Sequence, residues 1–122
     1  MKKLLIFAAL AVSGPLLADE VESVLGATGR VDAVLEYCYG AGYFNERDYW
    51  TMKLENNKLT MMETKLSSKD IMHSHSYLLN YRNHVSHLHQ LNDVSFKGEC
   101  AKSIQIFTYA LLEDDKAQGI TR

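Results

Sequence analysis

Residues 30–44 read RVDAVLEYCYGAGYF, and this stretch decides the fold. Val31, Val34, Leu35 and Cys38 fall three, four and seven residues apart, the spacing of one helical face turned toward a core. Gly40 and Gly42 follow at once and predict the end of that helix, with Tyr43 and Phe44 leading into the next element. Tyrosines and glycines at a helix end could line a flexible aromatic pocket, but such a cluster is more simply core packing.

The stripe extends upstream through Val21, Val24, Leu25 and Thr28. It crosses Gly26 and Gly29, each of which costs about 1 kcal/mol inside a helix. One long helix from Asp19, with room for a kink at the glycines, is therefore expected, with a helix starting near Gly29 as the alternative. Downstream, Asn45 reads as an N-cap, with Glu46 and Asp48 in the first turn. Residues 48–66 are rich in helix formers, and Tyr49, Met52, Leu59, Met62 and Leu66 make a stripe that Asn56 interrupts. A β-hairpin competes, because Trp50, Met52 and Leu54 alternate with polar residues and Asn56-Asn57 could turn. The absence of Val and Ile from this stretch favours the helix.

Ser67 or Ser68 caps the next helix, with Asp70 as a partner. Ile71, Leu78, Val85 and Asn92 lie seven apart, with Ser74, Tyr81 and Leu88 between them, and predict that it runs to about Leu91. Asn92-Asp93 ends it, and residues 95–98 are expected as a loop or a new cap. Cys100, Ile104, Phe107 and Leu111 share a face of the final helix, which runs to Leu112. Residues 113–122 have no stripe and read as a flexible charged tail. The fold expected is an all-α bundle of four to five helices over residues 19–112.

The compartment is read from the N-terminus. Lys2 and Lys3, an apolar run from Leu4 to Val12, and Leu16-Leu17-Ala18 have the form of a cleaved secretory signal over residues 1–18. The apolar run is too short for a comfortable membrane anchor, and the short basic segment points to a bacterial periplasm. Cleavage would leave 122 − 18 = 104 residues, with 11 basic and 15 acidic side chains. A net charge of −4 without a basic stripe argues against nucleic acid and anionic lipid. In an oxidising compartment two cysteines read as one disulfide, Cys38–Cys100. It closes a segment of 100 − 38 = 62 residues and ties the first long helix to the last. A redox role would call for Cys-x-x-Cys spacing, which is absent.

No nucleophile–base pair, paired carboxylates or haem attachment motif is visible, and a cofactor-free, non-enzymatic chain is expected. All five histidines lie between His73 and His89. His84 and His87 can share a face, with His73 and Tyr77 near it. A metal site on His73, His84 and His87 is one reading of that face, although such a site needs three or four ligands. A protein-binding face of His, Tyr and Asn is the other. The acidic residues are expected on solvent faces.

With its Lys2–Ala18 signal, its mature length, its helical pattern and the Cys38/Cys100 pair, the chain resembles the small periplasmic immunity proteins that neutralise type VI secretion effectors. The resemblance covers the whole chain in layout. It implies a protein partner, a secreted peptidoglycan hydrolase whose active site is occluded, and a homodimer. Tyr43, Glu46, Tyr77, His84 and His87 are the candidate contact residues, with function expected on the surface opposite the disulfide. The alternative is a periplasmic metal-binding protein.

Overall fold

The computed structural model describes residues 17–121. It is all-α, with six helices among the described residues: α1 (Ala18–Gly40), α2 (Glu46–Thr64), α3 (Ser68–His73), α4 (His75–His89), α5 (Asp93–Ile106) and α6 (Thr108–Ala117). The expected signal segment falls almost wholly on residues 1–16, outside that range. No helix among the described residues is long and apolar enough to cross a membrane.

The central element is α1. It continues through Gly26 and Gly29 without interruption and buries Val24, Leu25, Ala33, Val34, Leu35 and Cys38. It ends as the two glycines at its foot predict. Gly42 takes a left-handed conformation at φ 87°. Its N–H bonds the carbonyl of Tyr39, and the N–H of Tyr43 bonds that of Cys38, a Schellman closure that satisfies the terminal carbonyls.

Residues 46–64 are helical, so the hairpin alternative falls. Asn45 caps α2 by accepting from the Asp48 N–H at 2.7 Å, and its amide returns a bond to the Asp48 carboxylate at 3.3 Å. The buried face of α2 differs from the expected stripe. It runs through Asp48, Tyr49, Met52, Asn56 and Thr60, while Met62 is exposed. Asn56 is therefore part of the buried row, because its partners lie on α1.

The count exceeds the expected four to five because two helices are divided. Ser67 caps α3, and Ser74 then takes an extended conformation and caps α4 through the Tyr77 N–H. Asn92 caps α5 through the Ser95 N–H at 2.8 Å, so residues 95–98 are helix and not loop. Phe107 breaks the last helix from α6. The expected tail from residue 113 is helical to Ala117, held there by Asp115, which is buried. Leu78, placed in the core by its heptad spacing, is exposed, and Tyr77 is buried in its place.

Helix α4 runs parallel to α1, from Ser76 Oγ donating to the Glu22 carbonyl (2.7 Å) to Tyr37 beside His89. Helix α2 runs antiparallel to α1, pairing Thr28 with Thr60 and Glu36 with Lys53. The Cys38–Cys100 disulfide, with Cα atoms 5.7 Å apart, fastens α5 to α1. Arg47 on α2 fastens α6, with Nη2 2.9 Å from Asp115 and Nε 3.3 Å from Asp114. The main core gathers Ala33, Leu35, Cys38, Phe44, Met52, Leu88, Cys100, Phe107 and Leu111, and a smaller one joins Leu25, Ile71 and Tyr77.

Candidate functional site

Three regions of the molecule bring polar or aromatic side chains together. The first is a buried polar seam between α1, α2 and α4. On α1, Thr28, Asp32 and Glu36 follow one another at four-residue intervals and so share a face. Opposite them on α2 stand Thr60, Asn56 and Lys53. The Thr28 and Thr60 hydroxyls are hydrogen-bonded at 2.6 Å. Asn56 Nδ2 donates to Asp32 Oδ1 at 3.1 Å and to the Thr28 carbonyl at 3.3 Å. Lys53 Nζ lies 2.6 Å from Glu36 Oε2 and 3.6 Å from Asp32 Oδ2. From α4, Tyr77 donates to Asp32, and Tyr81 donates to Glu36 at 2.6 Å.

The electrostatics follow from this closure. Asp32 is 7% exposed, and such a carboxylate is costly to bury unless paired and hydrogen-bonded. Burial alone would lower the Lys53 pKa, but the carboxylates of Asp32 and Glu36 outweigh it and hold the ammonium protonated. Burial, and then donation to a carboxylate, pushes the phenols of Tyr77 and Tyr81 far above their ordinary range. Burial also raises Tyr49, against the pull of Lys53. The seam's acid–base groups are thus committed to one another, and the seam fixes the register of three helices. The expectation that the acids lie on solvent faces fails at Asp32, Asp48 and Asp115, all buried.

The second region is a groove of about 440 Å³ where α1 and α4 end and α5 begins. It is lined by Glu36, Tyr37, Gly40, Ala41, Leu88, His89, Leu91, Asp93 and Phe96. Tyr37 meets His89 edge-on, with its hydroxyl 2.9 Å from Nε2. Glu36 is the point at which the seam reaches the groove.

The third region is the corner at which α1 turns into α2. Tyr39 stacks on Tyr49 at 4.3 Å, and Tyr49 meets Trp50 edge-on at 5.0 Å. Trp50 is 50% exposed and Tyr43 40%. Tyr43 packs edge-on against Phe96, a groove residue, at 5.8 Å, so the corner and the groove adjoin. Glu46 is exposed in the first turn of α2. Beyond the corner, Leu54 and Met61 continue an exposed apolar row along α2.

The residues singled out from sequence separate accordingly. Tyr43 and Glu46 stand at the corner. Tyr77 lies within the seam, 4% exposed and donating to Asp32. His84 and His87 lie together, rings 5.3 Å apart. Burial and the neighbouring His87 lower the His84 pKa, against the attraction of Glu99. His73 is not with them, for it ends α3 and its Nδ1 pairs with the Lys69 carbonyl at 2.7 Å. Among the described residues no three His, Cys, Asp or Glu side chains gather as a metal site. Sequence reasoning missed Asp32, Glu36 and Lys53. The signal available for the first two was their four-residue interval from Thr28, already on the buried face.

No protein-family model, curated protein sequence or solved structure matches the chain.

Proposed function

We propose that this chain is an exported binding protein without catalytic activity, an immunity protein that neutralises a secreted cell-wall hydrolase by occluding its active site. One observation carries the reading. The corner between α1 and α2 leaves Tyr39, Tyr43 and Trp50 partly in solvent beside Glu46, on helices that the disulfide and the seam make rigid. Tyrosine and tryptophan presented on a rigid element supply contact area at low entropic cost and dominate binding hot spots. On this reading the contact lies at the corner beside the disulfide-bearing helix, where the candidates Tyr43 and Glu46 stand, and not on the surface opposite the disulfide. An acidic inhibitor suits a basic cleft, since complementary charge speeds encounter. The committed state of Asp32, Tyr77 and Lys53 supports a structural and not a catalytic use of those groups.

The test takes a secreted cell-wall hydrolase, sought first among the products of the neighbouring genes. The purified, oxidised chain should bind it and suppress its digestion of peptidoglycan at stoichiometric ratio. Trp50→Ala and Tyr43→Ala should each weaken binding about tenfold or more. Absence of binding and protection, or full protection by both variants, removes the reading. A homodimer belongs to the same proposal, with Leu54 and Met61 on the outer face of α2 as its contact. Light scattering that reads a monomer at high micromolar concentration removes that part alone.

A further inference from the structure

The histidines of α3 and α4 are not equivalent. His73 has its Nδ1 on the Lys69 carbonyl, and His89 has its Nε2 on the Tyr37 hydroxyl. His84 and His87 make no hydrogen bond to any described residue, yet their rings stand 5.3 Å apart with planes tilted by 37°. Three residues apart on a helix, they are surface neighbours. The backbone beneath them is fixed, because α4 is tied to α1 through Tyr77 and Tyr81. His84 is half-buried and His87 is exposed.

That separation is the one two rings take on a shared metal ion. An imidazole nitrogen binds zinc at about 2.0–2.1 Å, which puts each ring centroid about 3.2 Å from the ion; a tetrahedral angle then sets the two centroids about 5.2 Å apart, and a right angle about 4.5 Å. The 5.3 Å between His84 and His87 matches the tetrahedral geometry of zinc better than the square-planar geometry of copper(II). Two ligands do not close a site, and as the side chains stand no third is gathered. Helix α5 supplies one within reach of a rotation. It turns back from α4 through residues 90–92, so that Leu88 and Phe96 line one groove. Glu99, three residues past Phe96, and His84, four before Leu88, therefore meet one turn further along, and the Glu99 carboxylate acts on His84. Its pairing with Lys102 is long, 3.7 Å, and solvent-exposed, and such pairs hold weakly. Arg30 acts on His84 with the opposite sign, but its guanidinium is engaged on Asn80 at 2.6 Å, one turn away.

We propose that His84 and His87 are the preformed half of a zinc site, which Glu99 completes by turning from Lys102, with water in the fourth position. The ion would join α4 to α5, a helix that buries just Cys100 and Ser103. The site does not depend on the immunity reading. The experiment titrates the untagged, oxidised chain, stripped of metal, with Zn²⁺ alone. Competition with a chromophoric chelator gives the affinity, and the ring-proton resonances of the histidines give the location. One ion should bind per chain, with a dissociation constant on the order of 10 μM. The rings of His84 and His87 should shift, and those of His73, His75 and His89 should not. His87→Ala should weaken binding about tenfold or more and Glu99→Gln about fivefold, while His73→Ala changes nothing. Millimolar Mg²⁺, which prefers oxygen ligands, should not compete.

A dissociation constant above about 1 mM, or binding that survives in His87→Ala, overturns the site. Shifts centred on His73 and His75 overturn its location, and an unchanged affinity in Glu99→Gln overturns the carboxylate as third ligand. The ring shifts are read on the parent chain, so they stand whether or not a variant is destabilised.

Discussion

Replacing Gly29 with alanine should destabilise this protein, although alanine is the better helix former. The gain is about 1 kcal/mol of helix propensity in the middle of α1. The loss comes from α4. A Cβ at position 29 would lie 2.3 Å from the Tyr77 carbonyl oxygen and 3.1 Å from the Tyr81 nitrogen. Both are backbone atoms of a neighbouring helix, so no side-chain rotation relieves them. The two helices must part by about 1 Å to restore van der Waals distance. Overpacking of this kind costs about 1–3 kcal/mol. Separation also stretches the bonds that tie α1 to α4, among them Tyr81 to Glu36 and Arg30 to Asn80, both 2.6 Å. Loosening one bond to a carboxylate adds about 1.5–3 kcal/mol. The net expectation is a loss of about 2–4 kcal/mol.

Gly26 is the internal control. A Cβ there meets the Asn80 side-chain nitrogen at 2.7 Å, which can rotate away at the expense of its bond to Arg30. Propensity gained and hydrogen bond lost are then comparable, and Gly26→Ala should fall within about 1 kcal/mol of the parent. Urea denaturation of the three oxidised proteins, followed by far-ultraviolet circular dichroism, measures the difference directly. Gly29→Ala at or above the parent's stability, or indistinguishable from Gly26→Ala, would refute the close-packing argument.

Asp32→Ala should cost about 3–5 kcal/mol, because it leaves the Tyr77 hydroxyl, the Asn56 amide and half of the Lys53 pairing without their acceptor; a double-mutant cycle with Lys53→Met should show positive coupling, and strict additivity would contradict the seam. Reducing Cys38–Cys100, or replacing both by serine, should lower stability by about 4 kcal/mol from the entropy of a 62-residue closure, read as a fall in the urea midpoint. Alkali should unfold the protein through Tyr77 and Tyr81. Their folded-state pKa values lie above the ordinary 10.0, so the stability they hold is complete below about pH 10 and is lost as pH rises further. Of the seven tyrosines, exposed ones such as Tyr43 and Tyr109 ionise first, and the last part of the phenolate absorbance should appear together with the loss of helix, whereas Tyr77→Phe should withstand higher pH; ionisation of all seven before any loss of helix would speak against buried donors.

How much of this was legible in the sequence depends on where each residue's partner lies. Val31, Val34, Leu35 and Cys38 could be placed because burial of an apolar stripe is a property of the helix itself. The caps at Asn45 and Ser67 could be placed because the N–H groups they accept from are three residues away. Asp32 was misplaced because the groups that make its burial tolerable stand on two other helices, Lys53 and Asn56 on α2 and Tyr77 on α4. Gly29 read as a cost for the same reason: its value lies in the approach of Tyr77, which sequence spacing does not contain. The groove is assembled from three helix ends; the tyrosines and glycines closing α1 hinted at a pocket, but the walls from Leu88, His89 and Phe96 come from other helices. Yet the seam left one trace. Thr28, Asp32 and Glu36 keep the four-residue step of the core face on α1, and Asn56 and Thr60 keep it on α2. A polar row in phase with an apolar stripe on two helices joined by a short turn implies that the rows face each other. The interruption at Asn56, taken alone, reads as a defect in an apolar stripe; taken with Thr28 and Asp32, it marks the line along which the two helices meet.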